Sequence, residues 1–301
     1  MYLMVNQDTI SGLKGNTEAF HDPVCGLNLS GFADLALGEW QGKSVSFCGE
    51  GCKARFFNTP AKFQGEPLIK LRGVYKSFRL GIVDVEVLRG LDINIWEGDF
   101  VSIVGASGSG KSTVLNLIGL LDLPTSGTIF FKGKDVSKFS DDERALFRTK
   151  TFGFVFQQYN LIPWLTAYEN ATLPLIFSGA EESLFENVRK TFQEVGLKDR
   201  MVHRPFELSG GEQQRTALIR ALANNPLVVL GDEPTGNLDS TTGQKILDML
   251  VDLSRAQNKT LVIVTHDSTI AEMADEIIGI KDGQMIRDHH MHKKVYTKPA
   301  L

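Results

Sequence analysis

The residues best suited to chemistry form a glycine-rich segment, Gly105 to Ser112, with the pattern G-x4-G-K-S. Glycines adopt backbone angles that other residues resist, so successive N–H groups can point inward around a phosphate. Lys111 adds a positive charge near the outer phosphates, and Ser112 offers a hydroxyl to Mg²⁺. The segment predicts a nucleotide site comprising Gly105, Ser107, Gly108, Ser109, Gly110, Lys111, Ser112 and Thr113.

Two neighbouring carboxylates follow a short apolar run further along the chain. Leu227 to Leu230 is typical of a buried parallel strand, and Asp232 and Glu233 follow it after Gly231. Sheets of α/β proteins place their chemistry at the carboxyl ends of such strands. Asp232 is therefore a candidate second ligand for Mg²⁺, beside Ser112.

A second anion site is predicted where Ser209, Gly210 and Gly211 begin a helix that runs to about Asn224. The first turn of a helix has unpaired N–H groups, and glycines let a phosphate approach them closely. Phe78, near the end of an earlier alternating run, is a candidate for stacking on adenine; the alternative is an ordinary core or edge aromatic.

All three cysteines lie in the first 53 residues, with the spacing C-x22-C-x3-C at Cys25, Cys48 and Cys52. A segment this short has little core of its own, and soft thiolates bind Zn(II) or Cu(I) strongly, so a metal site is predicted. The alternatives are buried reduced thiols acting as small hydrophobes, or a redox pair of Cys48 and Cys52. His21 is a candidate fourth ligand.

Several elements must position these groups. Leu68 to Phe78 and Val83 to Trp96 alternate apolar and polar residues, which predicts antiparallel strands, and Phe100 to Val104 is an apolar strand leading into the glycine-rich segment. Residues 158–206 contain amphipathic stretches typical of helices. A Gly/Pro break near residue 66 marks the predicted domain boundary.

Composition narrows the class of protein. The 301 residues carry 32 basic and 36 acidic side chains, a net charge of −4, so nothing indicates a nucleic-acid partner. The sequence has neither an 18-residue apolar window nor a signal-peptide pattern at its start, and we expect a cytoplasmic protein without a membrane span. Three cysteines suit a reducing compartment.

Taken together, residues 68 to about 288 resemble the ATP-binding subunits of ABC transporters, closest to the macrolide-exporter and lipoprotein-release type. The resemblance rests on four well-spaced motifs: Gly105–Ser112 (Walker A), Gln157 after Phe154-Val155-Phe156 (Q-loop), Leu208–Arg215 (signature) and Leu227–Glu233 (Walker B). Asp239 matches the D-loop and His266 the switch histidine. Gly231 departs from the usual alanine before the Asp-Glu pair, which should matter little.

The resemblance implies roles for single residues. Glu233 would orient and deprotonate the attacking water while Asp232 stays on Mg²⁺. His266 would hydrogen-bond the γ-phosphate, and Gln157 would reach Mg²⁺ or water and report the γ-phosphate to residues 158–206. Ser209, Gly210, Gly211 and Asp239 would complete the nucleotide site of a second copy, in a head-to-tail homodimer holding two ATP molecules.

The N-terminal segment resembles the small YHS and TRASH metal-binding modules. The match covers roughly residues 20–64, through Asp22-Pro23-Val24-Cys25-Gly26, Ser46-Phe47-Cys48, Cys52, Phe56, Pro60 and Phe63. The expected fold class is α/β: a P-loop ABC ATPase with a mixed sheet, an antiparallel β subdomain and a helical subdomain, plus a small cysteine-containing domain. The expected domains are residues 1–65, 66–288 (helical subdomain about 158–206) and a tail, 289–301.

The same resemblance implies partners and a location. We expect an ATPase subunit on the cytoplasmic face of the inner membrane that powers a separate FtsX-like permease, with a periplasmic adaptor as a further partner. Two alternatives stay open: a metal-responsive sensor with the ATPase as its output, and a soluble ABC ATPase of DNA repair or translation. The His-rich tail could bind metal or be ordinary exposed chain.

Overall fold

The computed structural model describes residues 21–286, so the predicted tail at 289–301 and the first twenty residues of the predicted N-terminal module lie outside it. The strands are β1 (Ala36–Trp40), β2 (Lys43–Phe47), β3 (Ile69–Leu80), β4 (Val83–Ile95), β5 (Phe100–Val104), β6 (Ser126–Phe131), β7 (Lys134–Asp135), β8 (Phe152–Phe156), β9 (Val228–Asp232), β10 (Thr260–Thr265), β11 (Glu276–Lys281) and β12 (Gln284–Ile286). The helices are α1 (Glu50–Asn58), α2 (Lys111–Ile118), α3 (Asp141–Thr151), α4 (Ala167–Ser178), α5 (Glu182–Glu194), α6 (Gly210–Leu222), α7 (Ser240–Ala256) and α8 (Ser268–Met273).

A six-stranded mixed sheet forms the centre of the molecule, in the order β12-β11-β5-β10-β9-β8. Within residues 21–286, five strands of this sheet are parallel, and β12 at the edge runs antiparallel to its neighbour. The parallel strands are apolar along most of their length because both faces of the sheet are covered. The predicted mixed sheet is confirmed.

Successive side chains of a strand point to opposite faces of the sheet, so neighbouring residues pack in different apolar clusters. Val262 and Val264 pack with α2 and with the four-stranded antiparallel sheet β4-β3-β6-β7. Leu261 and Ile263 pack on the opposite face, with α6, α7 and α8. Burial on both faces holds the carboxyl ends of the parallel strands in a fixed register.

Residues 158–206 contain two helices, α4 and α5, which form a separate apolar cluster with part of α6. Thr166 begins α4 with a capping box: its hydroxyl accepts a hydrogen bond from the Glu169 N–H, and the Glu169 carboxylate accepts one from the Thr166 N–H. Within residues 21–286, no helix combines the length and the apolar character needed to cross a membrane.

The first described residues form a small unit of β1, β2 and α1 with its own apolar cluster. Phe47, Phe56 and Phe63 pack around the three cysteines, and Trp96, just after β4, belongs to the same cluster. The unit therefore shares its core with the chain that leads into β5.

Candidate functional site

The predicted catalytic groups lie at or just after the carboxyl ends of four neighbouring parallel strands. β5 ends before Gly105, β10 before His266, β9 at Asp232 and β8 before Gln157. The register aligns these ends, because Asp232 lies opposite Val264 of β10 and opposite Phe156 of β8. The edge of an α/β sheet where strands end is the usual position of a ligand site.

The glycine-rich segment forms a loop between β5 and α2. Gly108 and Gly110 have φ values of 79° and 104°, in the left-handed region that glycine adopts readily. A Cβ atom on Gly110 would also lie 2.8 Å from Leu88 Cδ2, so the loop has no room for a side chain there. Gly110 begins α2, whose N-terminus therefore opens toward the loop.

Lys111 lies beside this loop with its ammonium group turned onto the backbone. Its Nζ donates hydrogen bonds of 2.9 Å to the carbonyl oxygens of Gly105 and Ala106. The side chain is buried, and Ser109 Oγ nearby is a buried hydroxyl without a hydrogen-bond partner among the described residues. A buried cation and an unpaired donor beside a loop of N–H groups fit the phosphates of a nucleotide.

A cavity of about 740 Å³ opens over the loop. Its described lining combines the predicted phosphate loop with the predicted catalytic residues: Val87, Ser107, Gly108, Gly110, Lys111, Ser112, Thr113, Gln157, Asp232, Glu233 and His266. The cavity thus brings the phosphate loop together with four residues of three other motifs, namely Gln157, Asp232, Glu233 and His266. Gly105 and Ser109 belong to the loop but are not among these lining residues.

Ser112 and Asp232 meet at the floor of this cavity. Ser112 Oγ donates a hydrogen bond of 3.1 Å to Asp232 Oδ1, although 120 residues separate them. Burial raises the pKa of the Asp232 carboxyl, and the charge of Glu233 raises it further, while the Ser112 hydrogen bond opposes both. A divalent cation held by Ser112 and Asp232 would offset that unfavourable charge, so the two oxygens fit Mg²⁺.

Glu233 and His266 form a second pair at the cavity mouth. His266 Nδ1 lies 2.9 Å from Glu233 Oε1, and the imidazole is 70% exposed. Glu233 has a φ of 45°, a conformation that non-glycine residues rarely adopt, and its N–H donates a 3.0 Å hydrogen bond to the Val264 carbonyl. The strained backbone aims the carboxylate away from β9 and toward His266.

Ser209, Gly210 and Gly211 are not among the described residues lining the cavity. Ser209 instead begins α6 in a capping box with Glu212. A hydrogen bond from Arg200 and one from the Ser209 N–H lower the pKa of Glu212 to about 2. The capping box and the Arg200 contact thus hold the N-terminus of α6 through groups of the same chain.

Asp239 lies in a separate hollow of about 440 Å³ that also borders Glu233 and His266. Its carboxylate caps α7 by accepting a hydrogen bond of 3.0 Å from the Thr242 N–H. Phe78 lies on β3 and is 38% exposed, with its ring centroid 4.8 Å from Lys76 Nζ, and it is not among the described residues that line the 740 Å³ cavity. The role of Phe78 in adenine stacking stays a prediction.

The three cysteines come together in the N-terminal unit. The Cys48 sulfur lies 3.8 Å from that of Cys25 and 3.5 Å from that of Cys52, and all three side chains are fully buried or nearly so. We refer to Cys25, Cys48 and Cys52 as the thiol cluster. Burial raises the pKa of the Cys25 and Cys52 thiols well above the ordinary range, which a bound cation would reverse.

Sequence reasoning missed the carboxylate at this cluster. An Asp22 oxygen and the three sulfurs all lie within 4.8 Å of one another, whereas His21 Nε2 lies 3.7 Å from Asp92 Oδ1. The fourth group beside the sulfurs is thus Asp22, not the candidate His21. The one available signal was its position three residues before Cys25, followed by proline.

Asp22 ties together the two chain segments that carry the cysteines. Oδ1 accepts hydrogen bonds from the Val24 and Cys25 N–H groups at 2.8 and 3.2 Å, and Oδ2 accepts one from the Cys48 N–H at 2.6 Å. Burial raises the pKa of this carboxyl to about 7. Asp22 therefore fixes the Cys25 turn against the start of α1.

A parallel sheet that presents a phosphate loop, two adjacent carboxylates and a histidine at its strand ends defines a P-loop nucleoside triphosphatase. Residues 88–236 match the family model described as ABC transporter. Together with the relatives below, this match shows that the chain belongs to the ABC transporter family and is an ATP-hydrolysing cassette. The matched residues begin after the thiol cluster.

The chain is similar to several curated proteins. It is 47% identical over 225 residues to the macrolide export ATP-binding/permease protein MacB of Azoarcus sp., which covers 74% of this chain and 34% of that protein. It is 47% identical to the uncharacterised ABC transporter ATP-binding protein MJ0796 of Methanocaldococcus jannaschii, covering 74% of this chain and 97% of that one. The chain thus spans about a third of the length of the MacB-type relatives.

Solved structures support the same family. The ATP-binding cassette MJ0796, in a dimeric post-hydrolysis state bound to ADP and Pi, aligns with a TM-score of 0.69 at 44% identity. That alignment covers 75% of this chain and all of the other. The expected P-loop ABC ATPase fold is confirmed for the cassette, and the metal-binding domain at the N-terminus stays a prediction.

Proposed function

We propose that the chain is the ATPase subunit of a transporter of the macrolide-exporter and lipoprotein-release type, working as a homodimer on a separate membrane permease. The observation that carries this proposal is the cavity in which Lys111 and the phosphate loop face Asp232 and Glu233. We propose that the permease is a separate chain because two relatives that the match covers over 95% and 97% of their length are described as ATP-binding proteins. The proposed location is the cytoplasmic face of the inner membrane.

In the proposed mechanism, the loop from Gly105 to Ser112 binds the phosphates of ATP, and Lys111 leaves the backbone carbonyls to contact them. Ser112 and Asp232 would hold Mg²⁺, and Gln157 would reach the ion or the attacking water; the ion would neutralise charge on the outer phosphates. Glu233 orients the water and accepts its proton, and His266 donates a hydrogen bond to the γ-phosphate. The 2.9 Å contact between Glu233 and His266 would be exchanged for these contacts.

The second half of each site comes from the partner in this proposal. Ser209, Gly210 and Gly211 at the N-terminus of α6 would present N–H groups to the γ-phosphate bound by the other copy. Asp239 would lie at the same interface, since it borders the hollow beside Glu233 and His266. ATP therefore acts as part of the dimer contact.

The permease is proposed to dock where α3 and α4 face β8. A groove of about 340 Å³ there is lined by apolar and basic side chains, among them Phe154, Phe156, Phe177, Arg148 and Arg220. Phe177 is 79% exposed, and an apolar side chain at the rim suits an amphipathic helix. Gln157 follows β8, so the groove lies next to the residue that contacts the nucleotide site.

Copurification tests the permease. The tagged chain extracted from membranes should retain a multi-span protein, identified by mass spectrometry, and Phe177→Asp should lose it. Phe206→Asp is the matched control, because Phe206 is similarly exposed but lies outside the described lining of the groove. Recovery of no membrane protein with the wild type, or equal recovery with Phe177→Asp, would contradict the docking proposal.

A second function, metal binding, is favoured by the four converging groups at the thiol cluster. Thiolates 3.5 to 3.8 Å apart suit a soft ion, because metal–sulfur bonds of about 2.3 Å place neighbouring sulfurs at about 3.8 to 4.0 Å. We propose Cu(I) or Zn(II), one ion per chain. FtsX-like character of the permease and a periplasmic adaptor are proposed from the resemblance alone.

Elemental analysis tests this part. The wild type, purified under reducing conditions, should hold about one ion per chain, and the Cys25/Cys48/Cys52→Ser triple variant should hold none. Equal metal content in both proteins would exclude the site. A metal-responsive sensor with the ATPase as its output would differ by showing ion binding without any copurified permease.

A further inference from the structure

The contacts between the thiol cluster and the ATPase fold suggest a regulatory role for metal binding. The turn around Cys25 lies directly on the end of β4: the Cys25 carbonyl accepts a 2.7 Å hydrogen bond from the Asn94 N–H, and the Val24 carbonyl accepts one of 2.7 Å from Trp96 Nε1. Gly26 approaches so closely that a Cβ there would lie 2.6 Å from Asn94 N. The turn cannot shift without moving β4.

A second connection runs through α1. Cys52 and Arg55 lie on this helix three residues apart, and Arg55 donates hydrogen bonds to the carboxyl groups of Asp99 and Glu276. Both acceptors are buried, and Lys62 also contacts Asp99. Separating Arg55 from these buried carboxyl groups would leave them without a partner, which is energetically costly. The contacts therefore hold α1 against Asp99 and Glu276.

Both acceptors border the strand that leads to the phosphate loop. Asp99 immediately precedes β5, and Glu276 is the first residue of β11, which pairs with β5 in register. The five residues of β5 end at Val104, and the phosphate loop begins at the next residue, Gly105. The helix carrying Cys52 is thus tied to the start of β5, the strand that leads into the phosphate loop, and to the start of its neighbour β11.

An ion in the thiol cluster would require little rearrangement. The Cys48 and Cys52 sulfurs would separate from 3.5 Å to about 3.8 to 4.0 Å, so the main effect is to cross-link the Cys25 turn, the Cys48 segment and α1. Cross-linking restricts the motion of α1 and of the strands that Arg55 contacts. Nucleotide binding also requires β5 and its loop to be ordered. The protein therefore loses less conformational entropy on binding nucleotide when the metal ion has already restricted this region.

We propose that occupation of the thiol cluster by a soft metal ion tightens nucleotide binding at Gly105–Ser112, with Arg55 as the residue that transmits the effect. This inference rests on the proposed metal site. Arg55 is a positioning residue, since it contacts neither the cluster sulfurs nor the nucleotide cavity among the contacts of the described residues. By linkage, nucleotide must tighten metal binding by the same factor.

The experiment measures both affinities on the full chain, reduced and without oxygen. A fluorescent, non-hydrolysable ATP analogue is titrated with Mg²⁺ present, with and without one equivalent of Cu(I). We expect Cu(I) to lower the nucleotide Kd at least about fivefold, and saturating nucleotide to lower the Cu(I) Kd equally. The Cys25/Cys48/Cys52→Ser variant should bind nucleotide with the same Kd whether or not Cu(I) is added.

Two variants locate the transmission. Arg55→Met should bind both ligands but with independent affinities, whereas Lys53→Met, on the same helix with an exposed ion pair to Glu50, should keep the full coupling. If Arg55→Met does not fold, Trp96→Phe, which removes the hydrogen bond to the Val24 carbonyl, should reduce the coupling in its place.

The outcomes separate this inference from the proposed function. Failure of Cu(I) to bind the wild type would overturn the metal site and the coupling with it. Binding of Cu(I) and nucleotide with unlinked affinities would leave the metal site and overturn the coupling. Full coupling in a folded Arg55→Met protein, or in Trp96→Phe where Arg55→Met does not fold, would overturn the route through these contacts.

Discussion

The nucleotide site and the thiol cluster differ in their exposure: the first lines an open cavity, and the second is buried. The nucleotide site is an open cavity in which backbone N–H groups, a cation and two carboxylates wait at strand ends for a ligand that must enter and leave. The thiol cluster is closed, with its sulfurs buried among phenylalanines and its one carboxylate bound to three backbone N–H groups. Turnover needs the first arrangement, and retention of an ion suits the second.

The largest expected effect separates chemistry from binding at the open site. Glu233→Gln should lower the rate of ATP hydrolysis at least about 100-fold, because the amide cannot accept a proton from water, while nucleotide binding persists. Phosphate release and equilibrium binding measure the two quantities. Glu194→Gln, an exposed change on α5, is the control and should hydrolyse ATP normally; a Glu233→Gln protein that keeps most of its activity would remove Glu233 from the proposed role.

At the closed site the largest effect is on metal affinity. Asp22→Asn keeps the size of the side chain but places an NH₂ group or a weaker acceptor against the Cys48 N–H, so the segments carrying the cysteines lose their tie. We expect metal affinity to fall by about 10- to 100-fold, as for other residues that position ligands. Competition with a chelator measures it, and Glu39→Gln on β1 is the control. An unchanged affinity would mean that the sulfurs hold their positions without Asp22.

The free energy of unfolding should depend on pH through Glu276, which the Arg55 side chain links to the N-terminal unit. Burial raises the pKa of Glu276 from 4.5 to about 8, with the Arg55 charge opposing the shift. The folded chain therefore keeps a proton that the unfolded chain releases between these values, so this group's contribution is present below about pH 4.5 and is lost as pH rises toward about 8.

Denaturant unfolding at about pH 5 and about pH 8 measures this contribution. Glu276→Gln should flatten the pH dependence by on the order of a few kcal/mol relative to the wild type. Glu97→Gln, a change at a half-exposed side chain, should leave the slope unaltered. Identical slopes for wild type and Glu276→Gln would show that Glu276 is ionised throughout.

The smallest effect is expected beside the catalytic carboxylates. A Cβ on Gly231 would lie 3.4 Å from Ile263 Cγ1 and 3.5 Å from Pro234 Cγ, which is ordinary contact. Gly231→Ala should raise the free energy of unfolding by about 0.4 to 1 kcal/mol without changing the ATPase rate, because alanine restricts the unfolded chain. A fall in stability or activity would mean that β9 has no room for a side chain at Gly231.

The open site was largely predictable from the sequence because its motifs are short and local. The run Phe100–Val104, the glycines after it and Lys111 together specify a strand, a loop and a helix start without distant information. The order of strands in the sheet, which places Gln157 and His266 beside Asp232, depends on crossovers that no local pattern encodes. The sequence alone did not predict that order, and the roles of Gln157 and His266 were predicted only through the family resemblance.

The closed site and its attachment were less predictable. Cys25 and Cys52 were evident as thiols, yet the role of Asp22 depends on backbone geometry 26 residues away, at the Cys48 N–H. The Arg55 contact with Glu276 spans 221 residues of sequence. Contacts of this range arise from packing of whole elements, so they leave no periodic or motif signal.

Two copies of this chain are proposed to share each nucleotide, and sedimentation of Glu233→Gln is the most direct test. With MgATP the protein should sediment as a dimer retaining two ATP molecules, and without nucleotide as a monomer. Adding Ser209→Arg, which blocks the start of α6, should restore the monomer with ATP still bound at Lys111. A Glu233→Gln protein that binds ATP yet stays monomeric at every concentration would contradict the claim.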